Sequence, residues 1–87
     1  MQNLEFVYVV YNFYKDKIKN IIEVPHASVI FSIRDEAIKQ SNEQGDLVIF
    51  LEWLDRKELT NEEAIKSHVK KAIIASLNNK HYLCSMS

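Results

Sequence analysis

The sequence predicts an α+β fold: one small domain with a mainly antiparallel four-stranded sheet, two helices and the element order β-β-α-β-α-β. Residues 4–14 and 46–54 are β-branched and aromatic almost throughout, which is typical of strands. Residues 61–77 place apolar side chains at helical spacing. Because 87 residues leave room for a single core, we expect one domain spanning residues 1–87.

The first two strands are predicted to form a hairpin. The apolar strand 4–14 ends in the polar stretch 14–17, and residues 18–24 are again rich in β-branched side chains. Pro25 follows directly and ends the second strand, because proline has no N–H to donate to a ladder.

A first helix is predicted over about residues 28–43, with Gly45 just beyond it as a stop signal. Its start is open between Ser28 and Ser32, since Ser32 and Asp35 have the spacing of a capping box. The predicted buried stripe consists of Ile30, Ile33, Ala37 and Ile38.

The second half of the chain contains the clearest strand, 46–54, and the clearest helix. Thr60 and Glu63 have the spacing of a capping box, which opens a helix to about Asn78. The predicted buried stripe of this helix is Ile65, Val69, Ala72, Ile73, Ser76 and Leu77. Residues 81–86 are predicted to form a short fourth strand.

The first and third strands are apolar on both sides, the pattern of strands that are covered twice. In the first strand one side carries Val7, Val9, Tyr11 and Phe13, and the other Leu4, Phe6, Tyr8, Val10 and Tyr14. In the third strand Leu47, Ile49, Leu51 and Trp53 oppose Val48, Phe50 and Leu54. If both helices cover the same face, the other face is an open apolar patch, and we expect a homodimer through it. The alternative is one helix on each face.

Charge is unevenly placed along the chain. The net charge of -1 argues against binding nucleic acid or an anionic membrane over the whole surface. Residues 35–63 contain nine acids and three bases, whereas residues 64–87 contain four lysines and no acid. The acidic middle and the basic C-terminal part either pair within the fold or steer different partners.

Catalytic and metal-binding patterns are weak. His81 and Cys84 lie close together in sequence, but a zinc site needs about four ligands, and His26 and His68 are scattered. A single cysteine beside a histidine is a poor basis for a nucleophile. We therefore expect no enzyme activity, no metal and no cofactor. One cysteine also excludes an internal disulfide and favours a reducing, cytoplasmic compartment.

Protein recognition is the function that the sequence favours. The predicted contact residues are Glu52, Trp53, Asp55, Glu58, Tyr8 and Tyr14. Trp53 is the expected aromatic anchor, because such residues dominate interface energies. The acidic surface around it suits an inhibitor that imitates nucleic acid. No apolar run approaches the length of a membrane span, so we expect no membrane partner.

The runner-up function is a small nucleic-acid-binding regulator. Its expected contacts are Lys66, Lys70, Lys71 and Lys80, and the aromatic side chains Phe6, Tyr8 and Tyr14 are candidates for base stacking. Residues with A/T-rich codons (Ile, Lys, Asn, Tyr and Phe) number 34, against 9 for Gly, Pro, Arg and Ala. This usage favours a phage or mobile-element accessory protein that modulates a host protein.

Overall fold

The computed structural model describes residues 4–78, which form a three-stranded antiparallel sheet with one helix on each face. The strands are β1 (Leu4–Asn12), β2 (Lys17–Val24) and β3 (Asp46–Asp55), and the helices are α1 (Ile30–Gln40) and α2 (Glu62–Asn78). Short 3₁₀ helices at Ala27–Val29 and Arg56–Thr60 precede α1 and α2.

The strand order is β2-β1-β3, so the first strand along the chain is the central one. The prediction of a four-stranded sheet is wrong, because the sheet within residues 4–78 has three strands. The predicted fourth strand, residues 81–86, lies outside the described residues. Three strands suffice because β1, which is apolar on both sides, is flanked by a strand at each edge and covered by a helix on each face.

Two separate apolar clusters lie on the two faces of the sheet. The α2 face buries Val7, Val9, Tyr11, Ile49, Leu51, Leu54, Ile65, Val69 and Ala72. The α1 face buries Tyr8, Val10, Val24, Ala37 and Val48. The expectation that both helices share one face is therefore wrong, and with it the dimer through an open sheet face loses its basis. The apolar side of each amphipathic helix covers one face of β1.

The predicted buried stripe of α1 is confirmed. Ala37 is buried in the α1-face cluster, and Ile30, Ile33 and Ile38 pack against that cluster. Its start agrees with neither serine: the 3₁₀ turn Ala27–Val29 leads directly into the helix, and no side chain caps it.

Helix α2 is capped by Asn61, and the predicted capping box at Thr60 is wrong. The Asn61 side-chain oxygen accepts from the backbone N–H of Glu63 at 3.1 Å and of Ala64 at 3.3 Å. The Thr60 hydroxyl instead donates to the Lys57 carbonyl oxygen within the preceding 3₁₀ helix. One predicted core position of α2 is also wrong, because Leu77 is 79% exposed.

A buried polar cluster closes the sheet at the end of β1. The Asn12 side chain is 1% exposed and donates to the Gln44 carbonyl at 3.1 Å and to Asp46 Oδ1 at 2.8 Å. Asp46 also accepts from Lys19 Nζ at 2.7 Å and from the Glu43 N–H at 2.9 Å. Burial alone would raise the pKa of Asp46, but hydrogen bonds from Lys19, Asn12 and the Glu43 backbone lower it to about 2. The cluster joins the hairpin, β3 and the loop after α1.

Candidate functional site

A β-bulge near the end of β3 sets the position of the only tryptophan. Val7 pairs with Leu51 and Glu5 pairs with Leu54, so Glu52 and Trp53 together lie opposite Phe6. A bulge of this kind adds one residue and reverses the alternation of side chains beyond it. Leu54 therefore joins Leu51 in the α2-face cluster, while Trp53 packs on Phe6 of the α1 face, so the predicted faces of Trp53 and Leu54 are wrong.

Trp53 adopts a backbone conformation that is unfavourable for a large side chain. Its φ is 59°, in the left-handed region, where a non-glycine residue costs roughly 1–2 kcal/mol. The indole is 66% exposed and packs edge-on against the Phe6 ring at a centroid distance of 4.9 Å. Strain of this kind persists only where surrounding structure enforces it, and it is concentrated at functional positions.

The left-handed conformation predicts that Trp53→Gly is more stable than Trp53→Ala by about 0.5–1 kcal/mol. Both substitutions remove the indole and its contact with Phe6, so their difference isolates the backbone. In an ordinary strand the order is the reverse, because glycine loses more entropy on folding than alanine. Urea denaturation of both variants, followed by circular dichroism, measures the difference, and a more stable alanine variant would contradict the bulge conformation.

A groove of about 390 Å³ lies beside the bulge, between the last residues of β3 and the side of α2. We call it the Trp53 groove. Leu51 and Leu54 contribute apolar surface from the strand, while Ala72 and Ala75 line the helix side. Because alanine side chains are short, they leave space between the helix and the edge of β3. The volume falls within the roughly 300–1,000 Å³ of typical small-ligand pockets.

The walls of the Trp53 groove carry charges of both signs. Glu52, His68 and Lys71 line it, and the His68 ring is hydrogen-bonded to Glu58. Within residues 4–78 neither Glu52 nor Lys71 forms an ion pair. Within the described part of the chain, the groove thus combines apolar side chains from both elements with one acid and one base that form no ion pair.

The predicted protein-binding residues divide into four locations. Glu52 and Trp53 line the groove, and Glu58 is connected to it by its hydrogen bond with His68. The Asp55 side chain instead accepts from the Lys57 N–H at 3.0 Å and caps the 3₁₀ helix. Tyr8 is 3% exposed and packs against the Phe50 ring on the α1 face. Tyr14 is exposed but belongs to the β1–β2 turn, at the opposite end of β1 from Trp53. The structure therefore brings Glu52 and Glu58 together with Trp53, but not Asp55 or either tyrosine.

The predicted lysine cluster is partly neutralised by neighbouring acids. On α2, Lys70 Nζ lies 3.6 Å from Asp16, and Lys66 Nζ lies 3.7 Å from Glu62. Lys71 faces the Trp53 groove, and Lys80 lies outside the described residues. The remaining positive surface on the described part of α2 is therefore weaker than the sequence suggests.

The Asp16 carboxylate has a second partner within the α2-face core. The buried Tyr11 hydroxyl donates to it. Burial, together with this hydrogen bond and the carboxylate charge, raises the pKa of Tyr11 to about 12. The same bond is the largest cause of the lowered pKa of Asp16, followed by the nearby charges of Lys70 and Lys66. Asp16 is thereby fixed between the hairpin turn and α2.

Sequence reasoning missed the helix side of the groove. His68 was considered only as a metal ligand. Lys71 and Ala72 come three and four residues after it, so all three residues share a side of α2. That spacing identifies a common face but not the strand that it meets. The bulge had a clearer sign, because Leu51 and Leu54 are separated by two residues, of which one, Glu52, is charged within an apolar strand.

Among residues 4–78 no three histidine, cysteine, aspartate or glutamate side chains are grouped so that they could hold a metal ion. None of the helices in this part of the chain is long and apolar enough to cross a bilayer. No protein-family model matches the chain, and no curated protein or solved structure is significantly similar to it.

Proposed function

We propose that this chain is a small, non-enzymatic protein-binding module whose contact surface is centred on Trp53. The observation that carries the proposal is the indole itself, which is two-thirds exposed, held at a strained bulge and next to a groove. An exposed tryptophan beside a groove has the composition of an interface hot spot, since aromatic anchors supply much of the energy of association.

The surroundings of Trp53 favour a protein partner over a metabolite. Phe6 and Phe50 support the indole from one side in a chain of edge-to-face ring contacts. Just after β3, Arg56 forms ion pairs with Glu5 of β1 at 3.3 Å and Glu23 of β2 at 3.4 Å. A rigid aromatic on a fixed support loses little entropy on binding, and a groove that is open along one side suits a protein surface. From the single cysteine and the many residues whose codons are A/T-rich, we further propose a cytoplasmic phage or mobile-element accessory factor that modulates a host protein.

Site-specific photo-crosslinking in cells tests this function. The photoreactive residue p-benzoylphenylalanine replaces Trp53 in one variant and Phe31 in the other. Phe31 is a matched control because it is an equally exposed aromatic, 68% against 66%, but lies on α1. We expect covalent protein adducts from position 53 and far fewer from position 31. Equal labelling at both positions, or no adduct at position 53, would contradict the proposal.

A further inference from the structure

A second groove, of about 260 Å³, lies between the end of α2, the β1–β2 turn and the start of β3. Its lining includes Phe13 and Tyr14 of the turn, Leu47 of β3, and Ile73, Ser76 and Leu77 of α2. We call it the Leu77 groove. The Ser76 hydroxyl donates to the Ile73 carbonyl at 2.7 Å, so the wall formed by α2 presents mainly apolar surface.

Three large apolar side chains around the Leu77 groove are exposed in the described part of the chain. Phe13 is 57% exposed, Tyr14 69% and Leu77 79%. Leu47 and Ile73, which also line the groove, are half-buried and pack against the α2-face cluster, so the groove continues that core. Exposed apolar side chains that adjoin in this way mark a contact site.

The apolar side of α2 extends past the point where the sheet covers it. Val69, Ile73 and Leu77 follow one another at four-residue spacing and share a side of the helix. Val69 is fully buried, Ile73 is half-buried and Leu77 is exposed, so burial decreases steadily toward the end of the helix. Within residues 4–78, the last turn of α2 therefore lacks the cover that the earlier turns have.

We infer that residues 79–87 of this chain dock in the Leu77 groove and cover the last turn of α2. These residues lie outside the described range and follow directly on Asn78, the last residue of α2. They include the large apolar side chains of Tyr82, Leu83 and Met86. The groove holds them by side-chain contacts, without adding a strand to the sheet. This docking is independent of the function proposed for Trp53, which lies near the other end of β3.

The place where α2 ends favours this segment over a separate partner. Leu77 lines the groove and immediately precedes Asn78. Four extended residues span roughly 13–14 Å, which keeps Tyr82 and Leu83 within reach of the groove. A short tether also holds the segment there at an effective concentration on the order of millimolar. A separate apolar peptide of equal affinity would have to exceed that concentration to displace it.

Disulfide trapping in the full chain tests the location, because Cys84 is the only cysteine. Phe13→Cys places a second thiol at the groove. Ile74→Cys is the matched control, since Ile74 is about equally exposed, 60% against 57%, but lines a different surface of α2. A disulfide forms without strain only where the two Cα atoms come within about 4.4–6.8 Å.

The two cysteine variants are equilibrated in a glutathione redox buffer, and mass spectrometry measures the intramolecular disulfide in each. We expect the disulfide of Phe13→Cys to be at least about tenfold more stable than that of Ile74→Cys. A tether without a docking site would favour Ile74, which lies one helical turn before Asn78. A smaller preference for Phe13→Cys, equal stability or a preference for Ile74→Cys would overturn the inference.

The stability of Leu77→Ala is a second readout, which needs no added cysteine. If residues 79–87 cover Leu77, the substitution removes buried contacts, and we expect the folding equilibrium constant of the full chain to fall about tenfold. Ile74→Ala is the control and should lower it less than about threefold. In a background with Tyr82→Ser and Leu83→Ser, the effect of Leu77→Ala should largely disappear, because the contacts are already lost. Equal effects at positions 77 and 74, or an effect of Leu77→Ala that the background leaves unchanged, would contradict the docking.

Discussion

Replacing Ile65 with alanine is expected to lower the free energy of unfolding by about 3–4 kcal/mol. Ile65 is fully buried on α2, in the cluster that joins this helix to β1 and β3. Truncation loses the transfer free energy of the deleted carbons and leaves a cavity that neighbours on a sheet cannot fill. A domain of this size has a total stability of roughly 4–13 kcal/mol, so the loss is a large part of it.

Ile74→Ala is the matched control for this prediction. Ile74 lies on the same helix and is 60% exposed, so the substitution gains the same helix propensity without opening a cavity. We expect its effect to stay within about 0.5 kcal/mol. Urea denaturation monitored by circular dichroism gives both values. If Ile65→Ala does not fold, Ile65→Val, expected to cost about 1 kcal/mol, takes its place. Equal effects at positions 65 and 74 would contradict the packing of α2.

Asn12→Ala is the second large effect, with an expected loss of about 2–3 kcal/mol. The side chain donates to Gln44 and Asp46, and its oxygen accepts from the Lys15 N–H at 2.8 Å. Alanine makes none of these hydrogen bonds. Because the site is buried, water cannot reach all the polar groups that lose Asn12 as a partner. A buried polar group without a hydrogen bond destabilises the fold by more than a hydrogen bond usually stabilises it.

The control for Asn12 is Asn20→Ala. Asn20 is also in the sheet and also hydrogen-bonded, to Gln40 at 2.7 Å, but it is exposed. Water can replace its partners, so we expect a loss of less than about 1 kcal/mol. Chemical denaturation of the two variants side by side measures the difference. If Asn12→Ala costs no more than Asn20→Ala, the polar cluster does not stabilise the end of the sheet.

Much of the fold could be predicted because local patterns determine it. The alternation of Val7, Val9 and Tyr11 against Tyr8 and Val10 correctly assigns β1 to two faces. The order of two strands, a helix, a strand and a helix is also correct within residues 4–78. These features depend on periodicity over a few residues, which a single sequence contains in full.

The errors arise where distant residues decide. The sequence pattern of two amphipathic helices is the same whether they cover one face of the sheet or both. Only their packing against β1 decides that α1 and α2 lie on opposite faces. The bulge in β3 depends on register with β1, so the side of Trp53 could not be read from alternation alone. At the start of α2, Thr60 and Asn61 are both good caps, and the 3₁₀ helix that engages Thr60 leaves Asn61 to cap it.

The central position of β1 has a consequence for synthesis on the ribosome. β1 is the first of the three strands along the chain, and β3, which completes its pairing, follows α1. The nascent hairpin of β1 and β2 therefore exposes the β1 edge that β3 later pairs with, and two uncovered apolar faces, while the next residues are made. Slower translation between Pro25 and Asp46 would lengthen that exposure to other chains. For this domain, both apolar faces of β1 are covered only once α2 has been made, because α2 follows β3 along the chain.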